Sequence, residues 1–235
     1  MDLVATLRTT GAVRAFTDEP VADEVVWRIL DTARFAPSGG NRQPWRVVVV
    51  KDPATKQAIG DLNRRALREY FALESSGQRA FALSQRGRWP GPRKVDLDAA
   101  RRRGTPLPVA DEFARAPVML VVLVDLAEVA AVDAELDRHG LAAGASIYPF
   151  CHQIVLAARA EGLGGVATTV AMRYEPELLA AVGAASGWAV ASVVTLGRPV
   201  RAPQRLSRRA VVGFTTVDRV DGPPLGSLDG QPPEG

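Results

Sequence analysis

The chain has 235 residues, 47% of them hydrophobic, with a formal charge of +3, two histidines and one cysteine. That length suits one domain or a domain with an insertion, and the apolar share is enough for a buried core. A lone Cys151 excludes an intrachain disulfide and a thiolate metal cluster, and no apolar run approaches the roughly 20 residues that span a bilayer.

In chain order, a short helix is expected from Asp2 to about Thr10, then a turn at Gly11 and an extended stretch through Phe16. Val25, Val26, Ile29, Leu30 and Ala33 recur at helical spacing, so a helix is expected from Asp23 to about Ala36, where Pro37 stops it. After a Ser-Gly-Gly-Asn turn, Trp45 to Val50 is a β-branched run too apolar to keep a solvent face, hence a buried strand. Pro53 to about Glu74 reads as helix, with Ile59, Leu62, Ala66 and Leu67 on one side. Periodicity then fails from Ser75 to Pro108, an excursion rich in Arg, Gly and Pro with room for one short helix, of the kind that often serves as a functional lid. Val118 to Val124 is a second buried strand, and a long apolar helix is expected from about Ala142 to Glu161, stopped by Gly162. A shorter helix from Glu175 to Val182 and a strand from Val190 to Leu196 follow, and residues 221–235 have the composition of a disordered tail. Few strands separated by helices favour a sheet covered on both faces.

Met1-Asp2-Leu3 lacks the layout of a signal peptide, so a soluble cytoplasmic protein is expected, with no membrane partner. The basic clusters Arg101-Arg102-Arg103 and Arg208-Arg209 are not interleaved with aromatics, so no nucleic-acid partner is expected; a run of charge is ordinarily a solvated face, and a phosphate-bearing cofactor suits a few focused arginines better. His139 and His152 are not at a metal-ligand spacing, and no metal is expected. Ser38 has no Gly-x-Ser-x-Gly context, which argues against a hydrolase nucleophile. Gly162-Leu163-Gly164-Gly165 follows a helix, the reverse of the dinucleotide-binding order. Cys151 lies between Phe150 and Ile154 and reads as buried filler.

The most informative stretch is Ala36-Pro37-Ser38-Gly39-Gly40-Asn41-Arg42-Gln43-Pro44-Trp45. Its glycines allow backbone to approach a flat ligand, and its hydroxyl and amide can meet the polar atoms of a heteroaromatic ring. On chemistry alone it is equally a helix-stop turn. Together with Thr9-Thr10-Gly11-Ala12-Val13-Arg14-Ala15-Phe16, with Ser146-Ile147-Tyr148-Pro149, with Leu156 through Gly164 and with Thr168-Thr169, this stretch resembles the nitroreductase family of flavoproteins, over about Leu3 to Val212 apart from the irregular middle.

The resemblance implies an α+β, nitroreductase-like three-layer α/β/α sandwich with a central mixed sheet, homodimeric, in one FMN-binding domain over residues 1–220, with 75–108 as a variable substrate-loop insertion. It implies FMN at the dimer interface. Thr10, Gly11, Ala12 and Arg14 fall on its phosphate and ribityl side, Pro37, Ser38, Gly39 and Asn41 beside the ring, Ala167, Thr168 and Thr169 near its reactive edge, and Arg208 and Arg209 on the phosphate. Gly11 stands where relatives carry a basic residue, so that charge is missing unless Arg8 or Arg205 supplies it. The implied activity passes hydride from NADPH or NADH through FMN to nitroaromatic or quinone-like acceptors, with no catalytic side chain beyond a donor such as Arg14 or Arg42 near the flavin N1 and C2 oxygen. Arg86, Arg88, Arg93 and Lys94 favour NADPH through its 2′-phosphate, and Tyr70, Phe71, Phe81, Trp89 and Phe113 are candidates for the acceptor channel. The rival readings are dehydrogenation, dehalogenation or flavin-consuming chemistry on the same fold, and a non-catalytic flavin-binding module.

Overall fold

The computed structural model describes residues 2–226 except 85, 105, 203 and 204. The expected tail at 221–235 therefore lies mostly outside the described residues. The chain forms two units, Met1–Pro203 and Gln204–Gly235. In the second, no described residue is buried, and its one helical turn is Val211–Gly213.

The first unit is built on four strands: β1 (Trp45–Val50), β2 (Val118–Asp125), β3 (Gly164–Thr168) and β4 (Trp188–Gly197), in the order β1-β2-β4-β3. Every strand pairing is antiparallel, with Val48 opposite Val121, Val121 opposite Val193 and Val166 opposite Thr195. The expected mixed sheet is thus antiparallel, and among the described residues parallel pairing is confined to a bridge between Ala12 and Gly165 at the β3 edge.

Strand β2 explains its own composition. Val118, Leu120, Val122 and Val124 face one core, and Met119, Val121 and Leu123 face the other. Both faces are covered, so the usual alternation of apolar and polar residues vanishes. Each such side chain contributes on the order of 1.5–3 kcal/mol when fully buried. The first face carries α2 (Asp23–Ala33) and α6 (Tyr148–Ala160); the second carries α3 (Pro53–Ser75), α5 (Pro108–Arg115) and α7 (Glu175–Ala181). Trp45, at the start of β1, stacks on Phe150 of α6 with ring centroids 4.5 Å apart.

Helix α1 (Leu3–Thr9) is capped by the Asp2 carboxylate, which accepts from the Ala5 amide, and α3 by Asp52, which accepts from Thr55. The expected helix from Ala142 to Glu161 is two pieces: a tight turn over Ala142–Ser146, then α6 starting at Tyr148. Pro149 causes the break, because it lacks the amide that would continue the ladder and suits only the first turn of a helix. Helix α2 ends at Ala33, three residues earlier than expected, because Phe35 and Ala36 turn back onto Thr32 and Ala33 before Pro37. Within the irregular excursion lies α4 (Leu97–Arg101), capped by Asp96.

Cys151 is buried, as expected, and its apolar surroundings push the thiol up to about 12. No described helix is long and apolar enough to cross a membrane, and the described residues hold no His, Cys, Asp and Glu cluster suited to a metal.

Candidate active site

The site grows from the β3 edge. Gly164 and Gly165 open this strand: the missing side chain of Gly164 lets the N-terminal segment lie against it, since a Cβ there would stand 2.7 Å from Val13 Cγ2, while that of Gly165 lets β4 close on the strand, since a Cβ there would stand 2.7 Å from the Thr195 carbonyl oxygen. The Val13 amide donates to the Gly165 carbonyl at 3.0 Å, and the Thr17 amide to Arg198 at 2.9 Å. Val13 and Phe16 are buried with Ala116, which leaves Arg14 on the outward side.

Arg14 lines a cavity of about 450 Å³. Val166, Thr168 and Thr195 form its sheet wall; Asn63, Leu67, Tyr70 and Phe71 of α3 and Phe113 of α5 face them. The α3 residues share one face of that helix because they recur at three- and four-residue spacing. Asn63 is 3% exposed, yet its side-chain amide hydrogen-bonds no described residue. Its amide atoms are not among the fully buried side-chain atoms left without a partner, so they stay accessible from the cavity and can meet a ligand carrying polar ring atoms.

The structure places the other expected residues elsewhere. Thr10 and Gly11 border a small crevice on the α6 side of the sheet, and Ala12 is exposed beside it. Along β3 the side chains alternate, so Ala167 is exposed on the face opposite Thr168, and Thr169 is exposed just beyond the strand. The Pro37–Asn41 turn leads into β1, at the opposite edge of the sheet from β3. It is held in a left-handed course, with φ of +60° at Gly40 and +54° at Asn41. Ser146 Oγ accepts from the Gly39 amide, Ser38 Oγ accepts from the Gln43 amide, both at 3.0 Å, and the Gln43 side chain donates to Asn41 Oδ1. Ser38 and Asn41 therefore hold the turn together while keeping a hydroxyl hydrogen and an amide NH2 to offer outward. Arg208 and Arg209 belong to the second unit and are exposed.

Three readings of the sequence need correction. Arg101 is not part of a solvated face: it donates to Glu69 Oε1 at 2.7 Å, and the Glu69 side chain is fully buried. Desolvation pushes the Glu69 carboxyl up, but hydrogen bonds from Arg101, Tyr174 and Arg173 outweigh it and hold the group below the usual carboxylate range. Phe81 and Trp89 do not line the cavity; the Arg173 guanidinium lies 5.4 and 5.1 Å from their ring centroids while it also donates to Glu69. Of the basic excursion residues, Arg88 is paired with Asp137 at 2.6 Å. Asn63 and Thr195 were missed, although a lone amide on the apolar stripe that holds Ile59, Leu62 and Ala66 is a visible anomaly.

Fold and site together define a three-layer α+β protein with an aromatic-walled cavity at a sheet edge, reached by one arginine from an N-terminal arm. The chain belongs to the nitroreductase family, whose sequence model matches residues 7–198. It is 30% identical to 5,6-dimethylbenzimidazole synthase from Rhodospirillum rubrum over 196 residues, 80% of this chain and 77% of that protein. It is 48% identical to NADH dehydrogenase from Thermus thermophilus, but over only 48 residues, 20% of this chain and 23% of that protein. Among solved structures, iodotyrosine deiodinase bound to FMN and 3-iodo-L-tyrosine superimposes with a TM-score of 0.63 at 22% identity, covering 90% of this chain and 97% of that one.

Proposed function

We propose that this protein is an FMN-dependent oxidoreductase that passes hydride from NADPH or NADH to nitroaromatic or quinone-like acceptors, working as a cytoplasmic homodimer. The observation that carries the reading is the cavity that the Asn63 amide and the Arg14 guanidinium line together with an apolar and aromatic wall. That donor set fits the ring of a flavin: an amide can both donate to and accept from its polar edge, and a cation suits the side that becomes anionic on reduction. FMN, when bound, supplies the hydride chemistry.

The chain's own residues would then bind, orient and exclude water. Asn63 and Arg14 fix the polar edge, Thr168 and Thr195 present hydroxyls along the sheet wall, and Tyr70, Phe71 and Phe113 offer a dry aromatic surface for nicotinamide and acceptor in turn. The Pro37–Asn41 turn and the Arg14 arm sit at opposite sheet edges, about 19 Å apart by four strand spacings of roughly 4.8 Å, the arm lying beside β3. A second copy bringing its own turn to the cavity completes the site, which is the ground for the homodimer. In the same proposal Thr10, Gly11 and Ala12 flank the phosphate, and Arg208 and Arg209 are further phosphate ligands.

Heat release of the bound flavin, chromatography and light scattering test this directly. FMN and a dimer are expected. FAD, a protein that stays colourless with FMN, or a monomer fully loaded with FMN would contradict it. A second reading, flavin-consuming chemistry, is favoured by the long match to 5,6-dimethylbenzimidazole synthase. It predicts that bound flavin disappears during aerobic turnover, whereas the oxidoreductase keeps it.

A further inference from the structure

The fully buried Glu69 carboxylate lies outside the flavin cavity, and stability alone does not account for it. Glu69 stands on the stripe of α3 that holds Leu62, Ala66 and Leu73, and replacing a buried ion network by apolar side chains of similar size is often neutral or stabilising. Three segments meet at this carboxylate. Oε1 accepts from the Tyr174 hydroxyl and, at 2.7 Å, from Nε of Arg101, the last residue of α4 in the excursion. Oε2 accepts from Arg173 Nε at 3.0 Å. Arg173 and Tyr174 close the helical turn Val170–Tyr174 that follows β3.

Each of these segments leads into the cavity. The turn begins at Val170, on its wall; Tyr70, the residue after Glu69, lines the α3 side; and residues 102–107 alone separate α4 from α5, whose Val109 and Phe113 line it as well. The tether is lopsided. Arg101 also pairs with Asp98, whereas Arg173 has no second carboxylate among the described residues. The Arg173 guanidinium also lies 5.1 Å from the Trp89 ring centroid and 5.4 Å from that of Phe81, so it holds the aromatics of the excursion by cation–π attraction. Its side chain is 33% exposed, so without the Glu69 charge it can turn to water and release both the turn and the excursion.

We propose that Glu69 is a positioning residue that sets the width of the acceptor cavity, holding the Val170 turn and the excursion against α3 through Arg173 and Arg101, and that it thereby selects single-ring acceptors over larger ones. The cavity of about 450 Å³ has to hold flavin ring and acceptor together, so its width decides the size of acceptor. The inference rests on the oxidoreductase reading above. Asn63 stands six positions from Glu69, about 9 Å along α3, so flavin affinity does not depend on the tether.

The test takes Glu69→Gln and Arg173→Gln, with Arg88→Ala as control because its pair with Asp137 lies outside the network. Hydrogen exchange on the flavin-stripped full-length protein reads the tether: amides of residues 97–103 and 170–174 should exchange at least about tenfold faster in Glu69→Gln than in wild type, and those of β2 should change less. On the flavin-loaded protein, the ratio of kcat/KM for a two-ring naphthoquinone to that for a one-ring benzoquinone should rise at least about fivefold in Glu69→Gln, with flavin affinity within about twofold of wild type. Arg173→Gln should shift the ratio the same way by a smaller factor, and Arg88→Ala should leave it alone. If Glu69→Gln does not fold, Arg173→Gln carries the same test, because Arg101 and Tyr174 still meet the carboxylate. An unchanged ratio, with both quinones losing kcat/KM alike, or exchange that rises equally in β2, would mean a purely structural role and overturn the proposal. Wild-type protein that binds flavin and reduces neither quinone would overturn the oxidoreductase reading and the acceptor selection with it, the exchange result still deciding the tether.

Discussion

Gly164→Ala probes how the N-terminal arm is seated. The new Cβ would lie 2.7 Å from Val13 Cγ2, 2.9 Å from its Cβ and 3.1 Å from Cγ1, against an ordinary carbon–carbon contact of roughly 3.5–4.0 Å. The arm must retreat by about 1 Å, because the strand behind Gly164 is locked to Gly197 and cannot. Overpacking of this kind costs about 1–3 kcal/mol, and weakening the 3.0 Å bond from Val13 to Gly165 adds about 0.5–1.5 kcal/mol at most. We expect a loss of about 1–3 kcal/mol in urea unfolding of the flavin-free protein, since retreat relieves part of the clash. Arg14 moves with the arm, so flavin affinity should fall by about 1.5–3 kcal/mol, the worth of a hydrogen bond to a charged group. Gly104→Ala is the control, because nothing lies within 4 Å of its added Cβ. Wild-type stability and flavin affinity in Gly164→Ala would refute the seating of the arm on β3.

Three further outcomes follow from the same geometry. Asn63→Leu should leave the flavin-free protein about as stable as wild type, because the amide it replaces hydrogen-bonds no described residue, yet weaken flavin binding at least about tenfold; equal flavin affinity would remove Asn63 from the site. Arg101→Ala leaves the buried Glu69 with Arg173 and Tyr174 only, and should cost about 1.5–3 kcal/mol in chemical unfolding; a neutral result would return Arg101 to the solvated face. The Asp133 carboxyl is held at about 2, first by the Leu141 amide and then by Arg138, below the ordinary 3.8. A depressed folded-state value means its stabilisation is present above about pH 4 and fades as pH falls towards 2. Carboxyl NMR titration should place its midpoint near 2, and a midpoint at or above 3.8 would show that the loop it organises is open.

Much of the fold was legible because β1, β2 and β4 are apolar runs with a single physical explanation, burial on both faces. Strand β3 carried no such mark. Its Gly164-Gly165 opening is dictated by Val13 and the Thr195 carbonyl, contacts with residues far away in sequence. Helix α5 escaped notice because it is eight residues long and begins on Pro108, which reads as punctuation. Of the candidate site, Arg14 and Thr168 were singled out from the sequence where chemistry and resemblance met, and both line the cavity. Ala167 and Thr169 were adjacent in sequence, but strand alternation turns Ala167 away and Thr169 lies exposed just past the strand end. Glu69 was a buried charge on an apolar stripe, at helical spacing from Leu62, Ala66 and Leu73. That anomaly pointed to a cationic partner; which arginine, 32 positions away, required the fold.

The most direct test of the account is anaerobic stopped-flow on the purified, flavin-loaded protein, mixed first with NADPH or NADH and then with a nitroaromatic or quinone. The account predicts that the nicotinamide bleaches the flavin absorbance and that the acceptor restores it in full, with one flavin retained per site. Arg14→Ala should slow the bleaching more than it changes the reoxidation. A flavin that neither nucleotide reduces, or that is reduced but not reoxidised by any such acceptor, would contradict the proposed function.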